Sequence, residues 1–302
     1  MKAERLSVAI IGAGHMGRYH AEKFARLPGV ELAAVVDRDP ARAKISDFRP
    51  ILDKVEAAVV AVPTNLHHEV ARACLEKGVH VLIEKPITST LDEANALVDL
   101  AAQKNLVLQV GHVERYNKAF RALVERMDRP LFIDAERLSG FKQRGAEVDV
   151  ILDLMIHDLD LALSLARSEV AQVSACGFRV LTNDIDIASV RIEFANGCVA
   201  DLTASRASQA AVRKFRVFQP GVYVSADLQA GKLRYVRQAD GVIEETEEAH
   251  TGGDALAAQA ESFILAITKN RPVLVDGVEG RRVLKLALDI GRLVRERLAR
   301  FE

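Results

Sequence analysis

The sequence predicts an α/β protein in two parts: an N-terminal doubly wound parallel sheet, then a region dominated by strands. Three observations carry this. Short, continuous apolar runs alternate with helix-like stretches over residues 6–111, as expected of parallel strands covered on both faces. A glycine-rich turn, Gly12-Ala13-Gly14-His15-Met16-Gly17, follows directly on the first run. Beyond residue 130, strand-like runs succeed one another with no helix between them.

Leu6–Ile11 (LSVAII) reads as the first strand. A helix is expected over residues 16–27, stopped by Pro28-Gly29, and a second strand over Val30–Val36, ending at Asp37. Residues 38–55 are short and mixed, with room for one helical turn and a stunted strand near residues 45–48. Residues 57–62 (AAVVAV) form a buried strand stopped by Pro63. A helix over residues 67–77 ends at Gly78, which suits the left-handed residue after a helix. Residues 79–83 are the next strand, leading into Glu84-Lys85-Pro86. An amphipathic helix over residues 90–104 and a strand over residues 106–111 complete this part.

In the second part, strands are expected at Phe132–Leu138, 173–181, Ile187–Phe194, Val199–Ser205, 215–218, 222–228 and 233–236. Ala188, Val190, Ile192 and Phe194 alternate with Ser189, Arg191 and Glu193, the mark of a sheet with one covered face. A helix over residues 150–166 supplies the cover, and helices near 255–269 and 278–298 finish the chain. The charged run 244–248 reads as a solvated loop. The domains expected are 1–118 and 119–302, with the terminal helix able to pack back on the first.

Composition sets bounds. The chain has 302 residues, 49% of them apolar, enough for two cores, and a net charge of -1 with both signs interspersed. No basic stripe points to nucleic acid. No apolar run is long enough to span a membrane, and Met1-Lys2-Ala3-Glu4-Arg5 leads into a strand with no leader-like apolar segment, so a cytoplasmic protein is expected. Cys74, Cys176 and Cys198 are too scattered for a zinc site and read as free thiols.

The glycine turn has a mechanism. Gly12 permits the tight turn, Gly14 lets the backbone approach a pyrophosphate, and Gly17 lets helix and strand pack closely. The helix start then offers free N–H groups to the anion. Asp37 ends the next strand, twenty residues beyond Gly17, where a carboxylate accepts from the ribose hydroxyls of NAD. Arg38 beside it can pair with a 2′-phosphate, so NAD is preferred and NADP stays open. A purely structural glycine turn is the alternative. His15 and Met16 belong to this turn; Pro63, Asn65 and His67, at the end of the third long strand, are further cofactor contacts.

With Glu84-Lys85-Pro86 added to the glycine turn, the chain resembles the glucose-fructose oxidoreductase/inositol dehydrogenase/rhizopine-catabolism (Gfo/Idh/MocA) oxidoreductases. The resemblance rests on residues 12–17, Val62-Pro63-Thr64-Asn65-Leu66-His67, residues 78–86, and the Asp153…His157 pair. It spans essentially the whole chain. Within the family, residues 111–117 (GHVERYN) and 149–158 (DVILDLMIHD) look most like the UDP-N-acetylglucosamine 3-dehydrogenases, which make a 3-keto sugar later aminated for lipid A. The resemblance implies a Rossmann domain joined to an α/β domain with a large open, mainly antiparallel sheet. It also implies a carbohydrate or nucleotide-sugar substrate and a homodimer or homotetramer formed through that sheet. A cis Lys85-Pro86 bond is implied as well. Two departures stand out. Where the family has a full helix and strand after the second strand, this chain has the short segment 38–55, beside the expected adenine position. Lys118 stands where relatives often carry proline.

The chemistry expected is removal of a hydroxyl proton as hydride leaves the same carbon. Histidine titrates near neutrality and serves as such a base. Asp153 and His157 are four apart on a helix and share a face, so Asp153 orients the imidazole. Lys85, at a strand's C-terminal end where ligands of such sheets bind, polarises the oxygen. Glu84 holds Lys85 or the nicotinamide ribose. His112, Arg115 and Asn117 meet substrate, with Arg115 suited to a diphosphate. Two blander readings remain: Asp153 and His157 as a solvated ion pair, and Asp153, His157 and Asp160 as metal ligands by their spacing. A dinucleotide sensor without catalysis is the alternative of another class.

Overall fold

The computed structural model describes residues 5–141 and 148–301. The lead-in residues 1–4 lie outside the described residues. The chain divides into two compact units, Met1–Val113 with Asp254–Leu284, and Glu114–Gly253 with Lys285–Glu302.

In the first unit, β1 (Leu6–Ile11), β2 (Val30–Val36), β3 (Ala57–Val60), β4 (His80–Glu84) and β5 (Leu108–Gly111) form one parallel sheet in the order β2-β1-β3-β4-β5. The strands are short and apolar because helices cover both faces. Residues of β1, β3 and β4 pack against Phe24 and against Ala260, Phe263 and Ile264 in one core cluster. Phe24 lies on α1 (His15–Arg26), whereas Phe263 lies on α6 (Ala255–Lys269), a helix contributed from far along the chain. Their rings meet edge to face at 6.4 Å. Helices α2 (His67–Glu76) and α3 (Leu91–Lys104) complete the crossovers. Thr90 and Glu93 form a reciprocal capping box at the start of α3, satisfying two backbone donors at once.

The stunted strand after Asp37 is reduced to one parallel bridge, Val36↔Ile45, backed by Asp37 N–H donating to Ile45 O at 3.0 Å. A 3₁₀ turn, Arg49–Lys54, then leads into β3.

In the second unit, eight strands form one sheet in the order β13-β12-β11-β10-β6-β9-β8-β7. Their ranges are β6 (Phe132–Leu138), β7 (Val170–Phe178), β8 (Ile187–Phe194), β9 (Val199–Ser205), β10 (Val212–Gln219), β11 (Val222–Asp227), β12 (Lys232–Ala239) and β13 (Val242–Ala249). Every pairing is antiparallel except β6 with β9. The alternation on β8 holds: Ala188, Val190, Ile192 and Phe194 are buried. Helix α4 (Lys118–Glu125) packs on the covered face through Phe120, whose ring meets Phe215 edge to face at 5.8 Å. Helix α5 (Ile156–Ala166) is largely buried. The unit boundary falls inside α7 (Gly277–Leu298), between Leu284 and Lys285.

Strand β13 differs from the sequence reading, which made residues 244–248 a loop. Four glutamates oppose strand formation on propensity. As an outer strand, however, β13 gains the full β12 ladder plus Arg237–Glu244 and Arg234–Glu245 ion pairs. A charged outer strand also resists pairing with other chains.

Helix α5 differs too. The turn leading into it, Ile151–Met155, is π-helical rather than α-helical. Such turns recur at functional sites, and this one carries Asp153.

Candidate active site

The glycine turn is built as its spacing requires. Gly12 has φ +98°, and a Cβ there would lie 2.5 Å from Ala61 O. A Cβ on Gly17 would lie 1.7 Å from Gly12 O, so helix and turn can meet only at glycine. Gly14 is different: a Cβ there would meet nothing within 4 Å. It is the N-cap of α1, with no side chain capping the helix and no acidic residue in the first turn. Open space in front of unsatisfied N–H groups suits an anion, and the cradle fits a dinucleotide pyrophosphate. His15 is exposed and stands edge-on to Tyr19, and Met16 is half-buried.

Asp37 is tied to this turn. Its Oδ2 accepts from Ala13 N at 2.7 Å and its Oδ1 from Asp39 N at 2.9 Å. Each carboxylate oxygen keeps a second lone pair for a ribose hydroxyl. Arg38, Pro63 and Asn65 are exposed.

At the end of β4, Lys85 is half-buried and joined to Pro86 by a cis peptide bond. Two neighbours have contacts the sequence alone does not reveal. The Glu84 Oε1 accepts from His20 Nε2 at 2.7 Å, which ties this carboxylate to the α1 helix. His67 is buried, with Nδ1 2.8 Å from Pro86 O and Nε2 3.0 Å from Val62 O, so its polar atoms face the chain rather than a cofactor. Burial holds the His67 pKa below the ordinary range, against the pull of these two carbonyls. His112 is buried just after β5.

In the second unit, Asp149 caps the helix that carries Asp153 and His157. Its Oδ1 accepts from Ile151 N at 3.1 Å and Leu152 N at 2.9 Å, and its Oδ2 accepts from Arg295. Asp153 and His157 are half-buried, whereas the next carboxylates on the helix are buried and paired. Asp158 receives a bidentate pair of hydrogen bonds from Arg137, both 2.8 Å, and Arg137 Nη1 reaches Glu114 at 3.0 Å. Burial opposes the Arg137 charge, but these two carboxylates outweigh it and raise its pKa. Asp160 faces Arg115 Nη1 at 3.3 Å.

Asp160 is thus paired with a cation. Arg115, 14% exposed, pairs with Asp160 through Nη1. Asn117 has a structural task. Its Oδ1 caps α4 through Ala119 N at 3.0 Å, and its Nδ2 donates to Glu114 and to Leu228 O. Lys118 is then the first residue of α4, the position where proline is favoured in helices. Asn117 followed by a periodic apolar stretch was a readable N-cap signal. His20 and Arg137 gave no such signal, each being a single polar residue within a short element.

Comparison with known proteins matches this architecture. The oxidoreductase family with an NAD-binding Rossmann fold matches residues 6–112, and the GFO/IDH/MocA C-terminal domain matches residues 126–219. UDP-N-acetylglucosamine 3-dehydrogenase of Acidithiobacillus ferrooxidans is 38% identical, covering 94% of this chain and 96% of its own. A solved structure of that dehydrogenase superposes with a TM-score of 0.91 at 38% identity, covering 96% of this chain and 98% of its own. The NAD-dependent scyllo-inositol 2-dehydrogenase of Bacillus subtilis is 29% identical over 66% of this chain and 67% of its own. With its NAD-binding Rossmann fold and its companion C-terminal domain, the chain belongs to the GFO/IDH/MocA family of oxidoreductases.

Proposed function

We propose that this oxidoreductase converts a secondary alcohol of a nucleotide sugar to the ketone, with the C3 hydroxyl of UDP-N-acetylglucosamine as its substrate. The observation that carries this reading is the 38% identity over 94% of the chain to the A. ferrooxidans UDP-N-acetylglucosamine 3-dehydrogenase.

Bound NAD supplies the hydride acceptor. Gly12, Gly14 and Gly17 shape the turn that receives its pyrophosphate, with His15 and Met16 at the helix start. Asp37 selects the free ribose over a 2′-phosphate by charge. Arg38, Pro63 and Asn65 are further cofactor contacts. His157 takes the proton from the substrate hydroxyl, and Asp153 orients its ring. The Lys85 ammonium stabilises the alkoxide as negative charge develops on the same oxygen. His112 is assigned to the substrate side. The eight-stranded sheet is the proposed homodimer or homotetramer surface, to be read by light scattering.

The test is reduction of NAD by the purified protein with a panel of nucleotide sugars, free sugars and inositols. Reduced cofactor should form fastest with UDP-N-acetylglucosamine. A faster reaction with an inositol would move the substrate to the second group of relatives, which includes the scyllo-inositol enzyme. Replacing His157 by alanine should slow turnover by about 10²–10⁴-fold; wild-type turnover would remove it as the base.

A further inference from the structure

His20 lies on the buried face of α1 with Gly17 and Phe24, and is fully buried. A leucine at such a position packs at no polar cost. An imidazole there must find a partner or lose free energy. Its partner is the Glu84 carboxylate, at 2.7 Å. Burial works against the Glu84 charge, but His20, Lys85 and His67 together hold its pKa below the usual carboxylate range. The carboxylate is therefore ionised and only accepts, so His20 Nε2 carries the proton.

The seat for this carboxylate is shaped on the opposite side. Gly111 is the register partner of Glu84 across β4 and β5. A Cβ at Gly111 would come within 3.0 Å of Glu84 Cα and 3.1 Å of its Oε2. Beyond Lys85, the Pro86 carbonyl is held by His67, and Ile87 and Thr88 are fully buried. Lys85 thus sits between two anchored neighbours, one fixed from α1 and one from α2.

We infer that His20 is a positioning residue for Lys85: from the helix that opens at the phosphate turn, it holds Glu84 and so fixes the strand end that presents the lysine. The inference rests on the reading of Lys85 as the polarising cation. Without the His20 N–H, the Glu84 carboxylate is released beside the ammonium group of the next residue. Lys85 is then drawn to Glu84 instead of to the substrate oxygen. The same link ties the helix that receives the pyrophosphate to the strand that carries the lysine, keeping cofactor and cation in one register.

The experiment compares His20→Leu, His20→Gln, Glu84→Gln and Lys85→Met in the full-length protein. Each is measured for thermal stability, NAD affinity by fluorescence quenching, kcat and KM. His20→Leu should melt near wild type and bind NAD within about threefold, because α1 and the turn remain packed. Its kcat should fall by about tenfold or more with little change in KM, as expected for a misplaced catalytic group. His20→Gln should recover much of that loss, since its amide N–H can reach Glu84. Should His20→Leu fail to fold, Glu84→Gln keeps an acceptor for the His20 N–H but loses its charge, so the weakened link should give a smaller fall in kcat in the same direction. A role in packing alone would rank leucine at or above glutamine in kcat, and that order overturns the inference. Wild-type kcat in both His20→Leu and Glu84→Gln overturns it as well. Wild-type kcat in Lys85→Met overturns instead the underlying reading of Lys85.

Discussion

Alanine at Gly14 and alanine at Gly17 should do opposite things, although the two glycines belong to one turn. At Gly17 the added Cβ would sit 1.7 Å from Gly12 O. Non-bonded contacts to carbon settle near 3.5 Å, so helix and turn must part by roughly 1.5 Å or more. Overpacking of this severity against backbone costs about 3 kcal/mol, the upper end of the usual range. For a unit of this size that is a fall of roughly 10 °C in Tm. At Gly14 the added Cβ meets nothing within 4 Å, and φ is -67°, a value any residue adopts. Alanine is a slightly poorer N-cap than glycine, a loss of roughly 0.5 kcal/mol, so Tm should fall by no more than about 2 °C. The methyl does occupy the space in front of the helix N–H groups. Losing one hydrogen bond to a charged group costs about 1.5–3 kcal/mol, which weakens NAD binding by about 10- to 100-fold. The assay is differential scanning fluorimetry without cofactor, paired with NAD titration. If Gly14→Ala melts as low as Gly17→Ala, or binds NAD as the parent does, then the open cradle is not the pyrophosphate seat.

Three further outcomes follow from named contacts. Replacing Arg137 by methionine leaves Asp158 buried without its cation and Glu114 with Arg213 alone, and should cost about 3–5 kcal/mol in urea unfolding. Adding Asp158→Asn should restore part of that loss, and a single variant as stable as wild type would show the network to be idle. Asp186 is buried, yet backbone N–H groups of Val180, Leu181 and Thr182 outweigh its burial and hold its pKa down to about 2. A lowered carboxylate pKa stabilises the fold fully above the unfolded value and loses that contribution as pH falls through the folded one. Asp186→Asn should therefore cost about 2 kcal/mol at neutral pH, with the gap to wild type closing between about pH 4 and pH 2; a pH-independent gap would contradict this. Asp37→Ser should move the NAD to NADP ratio of kcat/KM toward NADP, and an unchanged ratio would take Asp37 out of cofactor selection.

The first unit was legible because its strands are continuous apolar runs and its turn has a spacing only one geometry satisfies. β2 was read to the residue, and the stunted strand near residue 45 is the single bridge at Ile45. The limits were equally physical. β13 is stabilised by cross-strand charge pairs, which no apolar pattern reports. The π turn at residues 151–155 keeps Asp153 and His157 close to one face, so periodicity alone did not separate it from an α turn. Among candidate site residues, the sequence placed Asp37 and Glu84-Lys85 at strand ends but did not show who binds whom. Arg115 and Asn117 suit an anionic substrate by type, yet one faces Asp160 and the other caps α4. Glu84 was correctly placed beside Lys85, but its partner His20 lies sixty-four residues away in sequence. Long-range polar pairs of this kind have no local signal. Cys74 and Cys198 are free thiols whose burial pushes them up to about 12 and about 11, which makes them inert packing residues.

The most direct test of the central claim is transfer of label from the substrate carbon. With UDP-N-acetylglucosamine deuterated at C3, the reaction should place deuterium in the reduced nicotinamide and slow relative to the unlabelled sugar. Mass spectrometry of the sugar should show loss of the label on forming the ketone. Reduced cofactor without deuterium would place the chemistry at another carbon. Absence of reduction with every carbohydrate tested, despite tight NAD binding, would contradict the proposed dehydrogenase activity.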